Sequence, residues 1–382
     1  MIQNLFNYIF LLLVFLSIFC SFKKIKAGKE YIKIFNFMFV LLALLVAFRY
    51  GTGIDTANYM VAYEYIPPID EMSIGTFALF RFQPLYTIVN SVCKFIWSDF
   101  LLVQIAQVLA FYPALYVLLK YFDLRNFYTL LFLYCFTYFG TGMSAMRECF
   151  AVGMGFWSIY FFFNKKYVLN ILFCFLSFGF HSGGILFFIV PMLRFLPFFK
   201  ILSLKRLLVF SFAMLIFSLI FTYLQKNITG GDGIFQRYQI EDSQFSILNI
   251  LKNLFLIVLL YLSCFKKKYS DYAEIIYLAV MYVLIDLLSS AYLEILSRFS
   301  SHLCIFMLVG IKLMFKEQRQ QLVVFSLAVF LTFYQPFMRF YSLMTDKDYG
   351  RCLWYCSYFA DVQDKSMFYK IIIQSTASDY LL

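Results

Sequence analysis

The chain has 382 residues, of which 63% are hydrophobic and 14% charged, with a mean hydropathy of +0.79. That composition excludes an ordinary soluble domain and points to an all-α polytopic membrane protein, because apolar runs of bilayer-spanning length dominate the sequence. A formal net charge of +11 does not imply nucleic acid as a partner, since lysine and arginine sit in short clusters between apolar runs rather than along one basic face.

The first apolar window, 4–22, has neither a basic leading region nor a small-residue cleavage site, so it reads as a retained span. Further windows follow at 32–48, 100–119, 126–140, 148–163, 167–180, 184–198, 206–224, 248–265, 272–290, 298–315 and 321–337, about twelve in all. Aromatic residues make up 22% of the chain, which suits lipid-facing helices with tyrosine at the interfaces. The nine cysteines are scattered, mostly within apolar runs, and show neither zinc-ligand spacing nor a disulfide framework. Cys352 and Cys356, the one close pair, read as partly buried apolar residues.

Basic clusters at 23–33, 120–125, 165–166, 200–206, 266–268 and 316–319 all fall on one side if the spans alternate, and that side is the cytoplasm. Both termini, loop 49–99, loop 225–247 and the turns near 140–147, 181–184 and 291–297 are then extracytoplasmic. Residues 1–382 form one polytopic domain, without a linker or internal repeat, and the lack of an inverted repeat disfavours common transporter folds. Segment 82–97 is apolar enough to be a span, but Gln83, Thr87, Asn90 and Lys94 recur at helical steps on one face. An amphipathic helix lying on the outer membrane surface fits this stripe and keeps the charge rule for everything downstream.

Ionisable residues at membrane helix ends are functional candidates, weighed against simple interfacial anchoring. Arg49 and Asp55 follow the second window within Phe48-Arg49-Tyr50-Gly51-Thr52-Gly53-Ile54-Asp55. An anchor does not require Gly51 and Gly53, which permit a tight turn or close backbone approach to a ligand. Asp55 is either a base or a cap for the stretch from Thr56. Glu148 suits a helix N-terminus, whereas Arg147 beside it is harder to explain structurally. His181 reads either as a helix-end residue or as a base. Glu294, Arg298 and His302 recur at steps of four on one helical face. Arginine is suited to phosphate because its planar guanidinium makes bidentate charge-assisted bonds. Three arginines at one membrane face therefore suggest an anionic headgroup, with Asp55 or His181 to accept a proton from a sugar hydroxyl. Asp55 and Glu148 could share a divalent metal, although no motif compels one, and no cofactor is expected.

In order, Phe48-Arg49-Tyr50-Gly51-Thr52-Gly53-Ile54-Asp55 with Tyr59, Gln83-Pro84-Leu85-Tyr86 with Asn90, Met146-Arg147-Glu148 with Ala151, Phe180-His181-Ser182 and the late Arg298 resemble the EpsG-type family of exopolysaccharide and O-antigen polymerases. The resemblance covers roughly residues 30–310. It implies a Wzy-like glycosyltransferase that joins undecaprenyl-diphosphate-linked oligosaccharide repeat units at the outer face of the bacterial plasma membrane. It further implies a GT-C-like architecture, in which 82–97 would be a juxtamembrane helix, and a flippase and a chain-length regulator as candidate partners. Gln83 and Glu148 depart from the family's usual Glu and Gln there, so position 83 cannot be the base.

The reading is Arg49, Arg147 and Arg298 as diphosphate-binding residues and Asp55, then His181, as base. Tyr59, Glu148 and Glu294 support or orient substrate, and Gly51 and Gly53 give room for the headgroup. A lipid-linked oligosaccharide flippase, an O-antigen ligase and a membrane acyltransferase remain the alternatives.

Overall fold

The structure is a computed structural model that describes residues 29–50, 55–79, 82–125, 145–228, 247–262, 273–291, 302–303 and 305–310. Its regular elements are helices, and no strand occurs among the described residues, in agreement with the all-α expectation. The windows at 4–22, 126–140 and 321–337 lie outside them. Described residues of 29–160 and 172–184 make one compact unit, and those of 161–171 and 185–310 a second.

In the first unit, α1 (Lys29–Ala47) packs on α5 (Leu101–Tyr121). α1 buries Phe35, Phe39, Leu42 and Val46 and turns Ile34, Phe37, Val40 and Leu44 outward, so it is apolar on both faces, the pattern of a membrane helix rather than a soluble surface helix. Phe39 meets Tyr112 edge to face at 5.4 Å, and the Tyr116 hydroxyl donates to Asn36 Oδ1 at 3.1 Å. α5 has 21 residues with a hydropathy of 1.8, and is the one helix among the described residues long and apolar enough to cross a bilayer. Shorter apolar helices cover Ile32–Ala47, Tyr167–Phe180 and Ser182–Met192.

Between α1 and α5 the chain forms α2 (Thr56–Tyr65), a 3-10 turn Ile69–Glu71, α3 (Ile74–Leu79) and α4 (Pro84–Ile96). Pro84 opens α4, where its missing N–H costs nothing. The expected polar stripe exists, but it faces the protein: Thr87 and Asn90 are buried, while Val92, Phe95 and Ile96 are exposed. The reason is that the end of α2 offers carbonyls on the inner side, where Ser91 donates to Pro67 and Lys94 to Tyr63, Glu64 and Ile66.

α6 (Met146–Phe163) approaches α5 closely at Gly153, and α7 (Tyr167–Phe180) packs on α6 through small polar side chains. The Ser177 hydroxyl donates to the Ala151 carbonyl at 2.7 Å, and Ser158 lies 3.0 Å from the sulfur of Cys174. Small residues let backbones approach where the hydrophobic effect cannot drive helix association.

The window 184–198 is not one helix. It divides into a 3-10 segment Ser182–Phe188, α8 (Ile189–Phe195) and a second 3-10 turn Pro197–Lys200. Pro191 has no N–H to bond back to residue 187, and Pro197 disfavours helix at Leu196, whose backbone is extended. In the second unit, α9 (Leu204–Ile228) and α10 (Ile247–Leu262) pack on α11 (Ala273–Ala291). Tyr277 of α11 is enclosed by Phe198, Phe199 and Phe210. Deeper along α11, the buried Asp286 accepts from Nδ2 of Asn253 at 3.0 Å.

Candidate functional site

The site is built at the N-terminal end of α6. Arg147 lies in its first turn, and its guanidinium reaches back to the 49–99 segment. Nη1 donates to Gln83 Oε1 at 3.1 Å and Nε to the Tyr59 hydroxyl at 3.4 Å. The planar group also lies over the Phe82 ring at 4.9 Å and the Tyr59 ring at 5.7 Å. Such stacking suits arginine, whose weakly hydrated plane tolerates aromatic faces. Three separate stretches, α2, the entry to α4 and α6, thus meet on one cation.

An aromatic cluster underlies this contact. Tyr59, Phe82, Tyr86, Phe150 and Phe180 form a chain of ring contacts between 5.0 and 6.0 Å, mostly tilted or edge to face, with Phe150 and Phe180 stacked. Burial pushes the Tyr59 phenol above its ordinary value, while the Arg147 charge pulls it back. Asp55 and Glu148 push that phenol further up. Tyr59 is therefore a neutral hydroxyl at physiological pH, able to donate to one of these groups while accepting from Arg147.

Asp55 occupies the N-cap position of α2, but its side chain makes no capping hydrogen bond. Its backbone carbonyl accepts from the Tyr59 amide at 3.1 Å instead. The capping alternative thus loses its usual geometry, and the carboxylate acts on Tyr59 and Arg147. Glu148 is buried in the first turn of α6, where the helix dipole favours its charge.

Arg49 is fully buried. It donates through Nη2 to Gln107 Oε1 of α5 at 2.8 Å and through Nη1 to the Val46 carbonyl. Burial pushes the Tyr86 phenol up, with smaller opposing pulls from Asn90, Arg147 and Arg49. His181 ends α7: its Nδ1 accepts from the Gly183 amide at 3.0 Å and its carbonyl from Gly184 at 2.9 Å. Phe180, which precedes it, joins the aromatic cluster. Because Nδ1 serves as an acceptor, a neutral His181 carries its proton on Nε2, and a further proton would go to Nδ1 at the expense of the Gly183 bond.

Tyr59 and Arg147 are therefore in contact, with Asp55 one turn before the tyrosine and Glu148 next to the arginine, while Arg49 is held by Gln107 and Val46. Gly51, Gly53, Glu294 and Arg298 lie outside the described residues. Among the described residues no group of three or more His, Cys, Asp or Glu is arranged to hold a metal ion.

Gln107 is a partner of Arg49 that the sequence reading did not single out, and Lys94, read there as one residue of a polar stripe, turns out to anchor α2. A glutamine in the middle of an apolar span is costly unless it has a partner, and that cost was the available signal for Gln107. Lys94 donates to the carbonyls of Tyr63, Glu64 and Ile66 at 3.0, 2.9 and 2.8 Å, and lies over the Tyr63 ring at 5.4 Å. It satisfies carbonyls that the end of α2 leaves open and places a cation at the negative end of the helix dipole. Lys94→Met should therefore lower thermal stability in detergent by about 2 kcal/mol, because it removes charge-assisted bonds while keeping the stem. An unchanged melting temperature would show that α2 is held without it.

The sequence model of the EpsG family matches residues 32–356. No curated protein and no solved structure matches the chain.

Proposed function

The chain belongs to the EpsG family, and on that premise we propose that this membrane protein is a polysaccharide polymerase that transfers a growing glycan between lipid carriers. Family membership associates it with exopolysaccharide synthesis. The observation that carries the finer reading is Arg147, partly exposed at the head of α6 beside Glu148 and held by Tyr59, Gln83 and the Phe82 ring. Fixed cations suit a diphosphate leaving group, and a neighbouring carboxylate suits a hydroxyl nucleophile.

In this reading the donor is a glycan on undecaprenyl diphosphate and the acceptor is one lipid-linked repeat unit. An acceptor hydroxyl attacks the anomeric carbon of the donor, and Asp55 takes its proton as the new C–O bond forms. The bond from the anomeric carbon to the phosphate oxygen breaks, and its electron pair leaves with the carrier diphosphate. Arg147 and Arg49 stabilise the charge that grows on that diphosphate, an interaction stronger in the transition state than in the ground state. Tyr59 and Gln83 hold the Arg147 plane in position. Arg298 is the third proposed cation, and Glu148 and Glu294 orient substrate. The chemistry lies at the outer face of the bacterial inner membrane, with about twelve helices crossing the bilayer.

A second reading, a flippase for lipid-linked oligosaccharide, draws on the buried Asp286–Asn253 pair inside the α10–α11 contact, since polar groups within membrane helices mark transport paths. Purified protein in liposomes with a defined lipid-linked repeat unit separates the two. A ladder of glycan lengths with release of carrier diphosphate supports the polymerase; movement of single units between leaflets without a ladder overturns it.

A further inference from the structure

α2 and α4 touch at both of their ends. At the heads, the Tyr59 ring of α2 meets Phe82 at 5.9 Å and Tyr86 at 5.5 Å, where α4 begins. At the tails, Lys94 of α4 donates to the carbonyls of Tyr63, Glu64 and Ile66, and the Tyr63 hydroxyl donates to the Trp97 carbonyl at 3.2 Å. The chain that leaves α2 is held as well: the Ser91 hydroxyl donates to the Pro67 carbonyl at 2.6 Å, and α4 packs on the 3-10 turn Ile69–Glu71. The two helices therefore run in the same direction, fastened head to head and tail to tail.

The head end is the one that reaches the candidate site. There Arg147 donates to Gln83 at the entry to α4 at 3.1 Å and to Tyr59 of α2 at 3.4 Å. The second bond is already longer than an ordinary N–H···O bond, so a small withdrawal of α2 breaks it and spares the first. α2 has ten residues, a stiff rod about 15 Å long, and a tilt at its tail is carried to its head. Because Asp55 adds no capping hydrogen bond at the head, the bonds at the tail weigh more in setting that tilt.

We propose that Lys94 is a positioning residue for the Arg147 centre: it sets the tilt of α2 and, through α2, the reach of the Tyr59 hydroxyl to Arg147. The proposal rests on the polymerase reading, in which that hydroxyl keeps the guanidinium plane in place for the departing diphosphate. Lys94 acts from a distance, since it stands about 12 Å along α4 from Tyr86.

The test is a double-mutant cycle on the full chain in nanodiscs, assayed for polymer formation from a defined lipid-linked repeat unit below the melting temperature of every variant. Lys94→Met should lower kcat about tenfold, the worth of one hydrogen bond to a charged group, and leave KM unchanged, since the bond acts on the Arg147 plane in the transition state. In a Tyr59→Phe background the same substitution should cost nothing further, whereas in a Gln83→Ala background it should keep its full effect. Equal losses in the wild-type and Tyr59→Phe backgrounds would overturn the proposal, as would a raised KM with kcat unchanged. Ser91→Ala frees only Pro67 and should give a smaller loss, about threefold, that also vanishes with Tyr59→Phe; it serves where Lys94→Met does not fold. An unchanged kcat, even with faster amide hydrogen exchange in α2, defeats the positioning role alone. Wild-type protein that forms no polymer defeats the polymerase reading.

Discussion

Arg147→Ala is expected to leave the protein in the membrane but to reduce polymer formation by about a thousandfold, the scale seen when one preorganised transition-state donor is removed. The substitution deletes the group that joins Tyr59, Gln83 and the Phe82 ring. Arg147→Lys should recover little of the loss. A lysine ammonium keeps the charge, but it cannot lie flat on Phe82 while reaching both oxygens. The measurement is the glycan ladder from cells or liposomes, with single repeat units still present at the outer face. Long chains made at normal rate by the alanine variant would remove Arg147 from the mechanism.

Gly153→Val carries the largest expected effect on folding. A Cβ at this position would lie 2.6 Å from the Ala110 carbonyl oxygen and 2.9 Å from both the Ala110 carbonyl carbon and the Phe111 Cα. All three are backbone atoms, so no side chain can move aside, and α5 and α6 must separate. Overpacking of this kind costs about 3 kcal/mol, and here it displaces the helix that carries Arg147 from the helix that carries Gln107. The yield of folded protein and the melting temperature in detergent should both fall, with Gly153→Ala already measurably destabilised. Wild-type stability in the alanine variant would mean that the two helices do not pack this closely.

Helices with long apolar runs were legible in the sequence. The window 167–180 coincides with α7 at both ends, and 100–119 lies within two residues of α5, because hydrophobic length alone defines such elements. Where backbone chemistry intervened, length misled: Pro191 and Pro197 split the run 184–198 into three short pieces. At the site, charged residues near helix ends were visible because their cost in an apolar chain makes them conspicuous. The neutral partner Gln107 was not, since its significance comes from the distant Arg49 that reaches it. Periodicity located the polar face of α4 but could not orient it. A stripe of Thr87, Asn90 and Lys94 looks the same whether it meets water or the carbonyls at the end of α2.

That orientation gives the site a sense of depth. With its polar side fastened to α2 and Val92, Phe95, Ile96 and Trp97 facing outward, α4 would, on the proposed topology, present its apolar side to the lipid at the outer surface. Gln83 and Tyr86, at the head of the same helix, are tied to α6 through Arg147 and Phe150, so a shift of α4 would reach the site. Bilayer thickness and lateral pressure thus become variables of the chemistry, and the same protein should work at different rates in short-chain and long-chain lipids without any change in its sequence.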